Sequence, residues 1–286
     1  MSQVMSQATP KIHLIGFATQ GPPYDEGKDI SKTSAFVKYS DVYKKAVDFF
    51  TLYTTETATQ MYPEFKEYIQ SYPQYDYGEH SRGCNHGFWK WKPFLILKYL
   101  EKMEEGDILM YQDTDTTKYK EYVIDVGNLR SNIRDIFSRN QNCVIAQLEN
   151  PFEPNLINQN YTNPGVFQAL RSNEECIKAP IMRCSRIFIQ KNKLSMNFVK
   201  NWLSLCETSL IFPDPNFPQN KEIRSWHTHD QALFNVLYQK YIELKLFRKP
   251  NLYFKNHIFS KEMIQLADRP VKMVPVKIRR PALKFI

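Results

Sequence analysis

Apolar positions along the chain fall into short runs separated by polar, proline- or glycine-bearing stretches, and the runs alternate between two periods. Ile12-His13-Leu14-Ile15-Gly16-Phe17-Ala18-Thr19 is continuous enough for a first buried strand, and the Gly/Pro-rich segment Gln20 to Gly27 reads as the loop that closes it. Ser40 to Phe50 and Pro63 to Tyr72 carry aromatics at three- and four-residue spacing and are expected to be helical. Pro93 to Lys102 is a stronger helix, with Pro93 suited to a first turn and Phe94, Leu97, Tyr99 and Leu100 on an apolar side. After Gly106 comes a strand-like run, Asp107-Ile108-Leu109-Met110-Tyr111-Gln112, that ends at Asp113-Thr114-Asp115.

Beyond it, Val123 to Ser138 reads as a helix, Cys143 to Ala146 as a strand, and Asn150 to Asn163 as a polar connection. Arg186 to Ile189 is strand-like, while Ser195 to Cys206 and Asp230 to Leu244 are amphipathic helices. The proline-rich stretch Phe212 to Asn220 between these helices could cover a site. Alternating strands and helices without a clear linker predict one α/β domain around a mixed sheet.

Composition narrows the function classes. In 286 residues, 42% hydrophobic and 24% charged content is ordinary for a folded soluble chain, whereas 14% aromatic content is high and suits a deep stacking pocket as well as a core. A net charge of +8 would suit a polyanion, but the excess is concentrated after Asp268, where Arg269, Lys272, Lys277, Arg279, Arg280 and Lys284 occur without an acidic residue. The body, 1–268, is close to neutral, so nucleic acid is an unfavoured partner and 269–286 is set apart as a basic tail. Five cysteines, without C-x-x-C spacing, point to neither a disulfide framework nor a structural zinc site. With no apolar signal-peptide core and no run long enough for a bilayer, the expected location is the cytoplasm; Asn160-Tyr161-Thr162 then carries no glycosylation role.

The acidic pair Asp113 and Asp115 is the most informative chemistry. A strand that delivers carboxylates to its carboxyl end places hard oxygen ligands where open α/β sheets hold their ligands, and such ligands suit Mg²⁺ or Mn²⁺. An ion held by one or two carboxylates keeps positions for phosphate oxygens, which suggests a nucleotide. The alternative is an Asp-rich turn whose side chains bind backbone N–H groups.

Three further segments bear on this pair. Gly87-Phe88-Trp89-Lys90-Trp91-Lys92-Pro93 puts two indoles and two lysines before a helix N-terminus, where Lys90 and Lys92 could meet phosphates and Trp89 could line a sugar or base pocket. A hydrophobic anchor with solvated lysines is the competing description. In Trp226-His227-Thr228-His229-Asp230-Gln231, Asp230 could serve as a general base, or Thr228 or Asp230 could cap the helix. His257, after Tyr253-Phe254, could complete a coordination sphere or lie on the surface.

In that order, the Trp/Lys segment, the strand-ended Asp113/Asp115 pair and His229-Asp230-Gln231 resemble nucleotide-sugar glycosyltransferases of the GT-A type, as found in polysaccharide loci and chloroviruses, over about Ile12 to His257. The resemblance implies a single GT-A domain over 1–268, a Rossmann-like α/β/α sandwich with a mixed, mostly parallel central sheet. It implies Asp113, Asp115 and His257 as ligands of Mn²⁺ or Mg²⁺, and Phe17, Ala18, Thr19, Trp89, Lys90, Lys92, Asp113 and Gln231 as donor-binding residues. Asp230 would be the catalytic base of an inverting transfer from a nucleoside diphosphate sugar, a UDP-sugar such as UDP-xylose, to a glycan hydroxyl. The acceptor could sit on a capsid glycoprotein, with a viral enzyme working in the host cytoplasm. Thr116-Thr117-Lys118 and the basic tail are not part of the shared pattern. A metal-dependent phosphoryl transferase or nuclease, or a non-catalytic basic module for glycan or nucleic acid, remain the rival classes.

Overall fold

The computed structural model describes residues 9–18, 40–75, 84–113, 129–148, 155–214, 227–249, 252–254 and 263–265. In chain order the strands are β1 (Ile12–Ala18), β2 (Phe49–Thr54), β3 (Ile108–Gln112), β4 (Val144–Leu148), β5 (Met182–Gln190), β6 (Leu252–Phe254) and β7 (Met263–Gln265). The helices are α1 (Ser40–Ala46), α2 (Thr55–Met61), α3 (Phe65–Tyr68), α4 (Trp91–Lys102), α5 (Leu129–Asn140), α6 (Asn158–Tyr161), α7 (Pro164–Ala169), α8 (Glu174–Lys178), α9 (Lys193–Cys206) and α10 (Asp230–Glu243).

The first five strands form a mixed sheet in the order β2-β1-β3-β5-β4. β1 pairs in parallel with β2 and with β3, whereas β5 is antiparallel to both β3 and β4. Four strands therefore share a direction, but the pairings divide evenly, so "mostly parallel" holds for strand direction and not for the ladders. β6 and β7 form a separate antiparallel pair.

The twofold period of the strands assigns each side chain to a face. Ile15 and Phe17 of β1, Leu109 and Tyr111 of β3, and Ile187 and Ile189 of β5 join one core cluster with residues of α4, α9 and α10. Ile12 and Leu14, Ile108 and Met110, and Phe188 join a second cluster with Tyr43 and Ala46 of α1 and Leu129, Ile133 and Ile136 of α5. Helices thus cover both sides of the sheet, which is why β1 and β3 are buried along their whole length.

Several sequence expectations are corrected. The helix expected over Ser40 to Phe50 stops at Ala46, and Phe49–Thr54 is an edge strand held by its ladder with β1. Pro63 to Tyr72 is helical only over the single turn of α3, while the unexpected α2 precedes it, closed by a capping box in which Thr54 and Thr57 exchange side-chain and backbone bonds. α4 begins two residues before Pro93, at Trp91. Of the helix expected over Val123 to Ser138, the described part is α5; residues 114–128 lie outside the described residues. The polar stretch ending at Asn163 contains the single turn α6. β4 and β5 extend beyond the runs first marked as strands.

Among the described residues no helix is long and apolar enough to cross a membrane. All five cysteines are free and buried.

Candidate functional site

β5 is the strand on which the site is assembled. Asn235 of α10, fully buried, donates from Nδ2 to the Met182 carbonyl at 3.0 Å and accepts from the Met182 N–H at Oδ1 at 2.6 Å, acting as a short surrogate strand that docks α10 on the start of β5. Two residues along, the Cys184 carbonyl accepts from Lys92 Nζ at 3.3 Å. The next carbonyl, Ser185, accepts from the Asp113 N–H at 2.8 Å, extending the ladder one residue beyond β3. Asp113 has the same parity as Leu109 and Tyr111, and it meets the α4 and α10 side of the sheet, where the Tyr111 hydroxyl donates to its Oδ1 at 2.6 Å.

Lys92, in the first turn of α4, is the centre of the arrangement. Its side chain is only 5% exposed, with Nζ 3.3 Å from Asp113 Oδ1 and 3.3 Å from Asp230 Oδ2. Burial alone would lower the Lys92 pKa, but the two carboxylates outweigh it and hold the ammonium above its ordinary value. Asp230 lies at the first position of α10, where the helix dipole favours negative charge. Its carboxyl is nonetheless pushed up to about 6, first by burial, against the lowering effect of Lys92 and with a further raising contribution from Asp113. Asp230 Oδ2 is buried and accepts no aligned hydrogen bond; the Lys92 contact is an ion pair without hydrogen-bond geometry. Trp202 of α9, completely buried, donates from Nε1 to the Asp230 carbonyl at 2.9 Å and fixes the start of α10 from behind.

The backbone beside these charges is strained. Gly87, Phe88 and Trp89 have φ of 59°, 52° and 60°, and His229 has φ of 51°. Such values are costly for residues with a Cβ, and packing maintains them here: the His229 ring sits 4.6 Å from Phe88 and 5.7 Å from Trp89. Gly87 is required for space as well, since a Cβ there would stand 1.9 Å from the Tyr68 carbonyl oxygen.

The sequence-predicted residues separate into distinct groups. Asp113, Lys92 and Asp230 come together. Lys92, expected at a phosphate, directs its ammonium at two carboxylates and a carbonyl, and it is not one of the solvated lysines of the competing description. Trp91 is core, 4.3 Å from Phe17, whereas Trp89 is half-buried. Phe17 and Ala18 are themselves buried, leaving the end of β1 to contribute backbone. Lys90 points to the Tyr72 ring at 4.8 Å and bonds its hydroxyl. Gln231 is half-buried next to Asp230.

Neither His227 nor His229 is arranged as a zinc ligand. His227 accepts from the Asn163 N–H at 3.3 Å and its other nitrogen meets the Leu210 carbonyl at 3.0 Å, while His229 Nδ1 meets the Ile211 carbonyl at 2.9 Å. Burial pulls His229 down to about 4 and His227 well below its ordinary value, so both are neutral rings. Thr228 uses its hydroxyl on the Tyr161 carbonyl, and the residue in the capping position is His229, without a side-chain cap. Thr19, Asp115, His257, most of the Phe212 to Asn220 loop and the 269–286 tail lie outside the described residues.

Sequence reasoning missed the bridging position of Lys92 and the Tyr111 bond to Asp113. A lysine flanked by Trp91 and the apolar run Phe94 to Leu97 was the available signal for the first, and the i,i+2 spacing on one strand face for the second.

The donor set bears on a divalent ion. With both carboxylates ionised, Asp113, Lys92 and Asp230 sum to one negative charge, and the Asp113 side chain is 32% exposed. Both contacts on that carboxylate fall on Oδ1, and among the described residues no hydrogen bond falls on its Oδ2. One hard oxygen with access to solvent fits Mg²⁺ or Mn²⁺ bound largely through a nucleotide. Among the described residues no group of three or more His, Cys, Asp or Glu side chains forms a cage for a metal. No protein-family model, curated protein or solved structure matches the chain.

Proposed function

We propose that the protein is a metal-dependent glycosyltransferase of the GT-A type, moving a sugar from a nucleoside diphosphate sugar, a UDP-sugar, to a glycan hydroxyl with inversion. The observation that carries this reading is the meeting of Asp113, Lys92 and Asp230, from three segments far apart in sequence, at the carboxyl end of β3. That end adjoins the point where the chain leaves β1 for β2 on one side and β3 on the other, the switch point at which open α/β sheets bind nucleotides. The sheet order and its antiparallel β5 are compatible with the fold that the resemblance implies.

Asp113, with Asp115 and His257 as further candidates, would hold Mn²⁺ or Mg²⁺, which when bound supplies Lewis-acid neutralisation of the departing diphosphate. Asp230 is the proposed base. A carboxyl at about 6 is ionised at neutral pH yet more basic than an ordinary aspartate. Lys92 keeps Asp230 ionised, Trp202 fixes its backbone, and Trp89 and Gln231, both half-buried, are the residues proposed to contact the sugar.

The test is titration calorimetry of UDP-sugars with and without Mn²⁺, on the native chain and on Asp113→Asn, followed by transfer assays on Asp230→Asn. Donor affinity should depend on the ion and fall in Asp113→Asn. Asp230→Asn should lose turnover while keeping donor affinity, because a group used in the transition state acts on rate. Equal donor affinity with and without Mn²⁺ would end the reading.

A further inference from the structure

An ammonium carries three donors, and Lys92 directs its contacts to three acceptors: Asp113 Oδ1, Asp230 Oδ2 and the Cys184 carbonyl, each at 3.3 Å. A charge-assisted bond to a carboxylate is normally shorter, about 2.7 to 2.9 Å. The ammonium is thus suspended between the carboxylates and tight against neither. The acceptors lie on different elements, Asp113 just past β3, Cys184 on β5 and Asp230 on α10, so a shift toward one carboxylate is a shift away from the other.

A cation arriving at Asp113 enters this balance as a competitor. Lys92 lies on Oδ1 of the same carboxylate that would receive the ion, and two cations on one carboxylate repel each other. Asp230 supplies the alternative partner, because its Oδ2 is buried and accepts no aligned hydrogen bond.

We propose that Lys92 is a positioning residue that serves as the internal counter-ion of Asp113 in the empty site, competes there with the divalent ion, and passes to Asp230 when the ion binds. The inference rests on the reading of Asp113 as a metal ligand and deepens it. It gives the site an order of events: the ion and donor free Lys92 from Asp113, and the tightened Lys92–Asp230 pair then fixes the carboxylate that faces the acceptor. An empty site keeps its negative charge covered and has low affinity for stray cations.

Mn²⁺ itself is the probe, titrated calorimetrically into the full chain without nucleotide. Lys92→Met removes the competing charge with little change in side-chain length and should tighten Mn²⁺ binding by about tenfold. Lys92→Met with Asp230→Asn is the control for both folding and net charge. It leaves no uncompensated Asp230 carboxylate, and the three positions again sum to one negative charge, as in the native chain. Tightening in this double variant therefore reports competition at Asp113 and not a bulk field. Lys92→Arg, which restores the charge, should return the affinity toward that of the native protein, an outcome a purely space-filling role would not produce.

Asp113→Asn separates the two levels. If it weakens Mn²⁺ binding while the single and double Lys92 variants leave the affinity unchanged, the handover is overturned and the metal reading stands. If Asp113→Asn binds Mn²⁺ as the native chain does, the metal reading fails and the handover fails with it.

Discussion

Acid should destabilise the protein through His229, and the size of the effect follows from the structure. The ring is buried against Phe88 and Trp89 and meets a single backbone carbonyl, Ile211, so burial lowers its pKa from 6.5 to about 4 despite that bond. A base whose folded pKa is depressed contributes stability that is full above the unfolded pKa and is lost as pH falls through the folded one. The window runs from 6.5 down to about 4. Integrating the linkage relation, His229 withdraws about 2 to 3 kcal/mol between about pH 7.5 and about pH 4.5. Asp230 acts in the opposite sense: a carboxyl raised to about 6 makes the fold more stable as pH falls from 6 toward 3.8, by about 2 kcal/mol over the same interval. The native curve therefore combines two slopes of opposite sign, with the neighbouring His227 adding to the acid loss. His229→Asn keeps an amide donor for the Ile211 carbonyl and tolerates positive φ comparatively well. Urea unfolding followed by tryptophan fluorescence at the two pH values gives the comparison. The variant should retain about 2 to 3 kcal/mol more than the native chain on acidification. Parallel pH curves for the two proteins would refute the assignment of a buried neutral ring.

Other outcomes follow from single contacts. Lys92→Met should lose about 3 to 5 kcal/mol in denaturant titration at neutral pH, because it leaves buried carboxylates unpaired, and adding Asp230→Asn should recover much of that loss. Gly87→Ala should lower the melting temperature by several degrees, since its Cβ would meet the Tyr68 carbonyl at 1.9 Å in a backbone region that disfavours a side chain. Trp202→Phe should cost about 1 to 3 kcal/mol on thermal unfolding, because packing changes and the Asp230 carbonyl loses its indole donor.

Where side-chain pattern and burial coincide, the fold was readable. β1, β3, α4, α9 and α10 are long or continuous apolar segments, and their limits fell within a few residues of expectation. β2 was not readable, because Phe49-Phe50-Thr51-Leu52-Tyr53-Thr54 is a half-exposed edge strand without alternation, and its aromatics also match a helical spacing. α2 is rich in threonine, a poor helix former, and its start depends on a reciprocal Thr54–Thr57 cap that no apolar period announces. For the site, the order of the three segments pointed to Asp113 and Asp230, but the partner of Lys92 depends on how α4, β5 and α10 dock. Spacing along the chain carries no information about that geometry, so the contacts of Lys92 with Asp113 and Asp230 are legible only in the folded chain.

The sheet order has a consequence for synthesis. β1 is apolar on both faces and pairs through Ile12 with Ile108, while β3 pairs through Ile108 with Gln190, so the centre of the sheet is closed only by distant partners. The helix that carries Asp230 ends still later, at Glu243. At ~20 residues per second, a nascent chain waits about ten seconds between the exit of β1 and the arrival of α10. Until β3 emerges, β1 and β2 can form only the edge ladder, with α1 to cover one side, and the opposite side waits longer for α9 and α10. High contact order of this kind slows folding and leaves adhesive strand edges exposed. The architecture that brings Asp113, Lys92 and Asp230 together thus leaves apolar surface open on the young polypeptide until α10 has emerged.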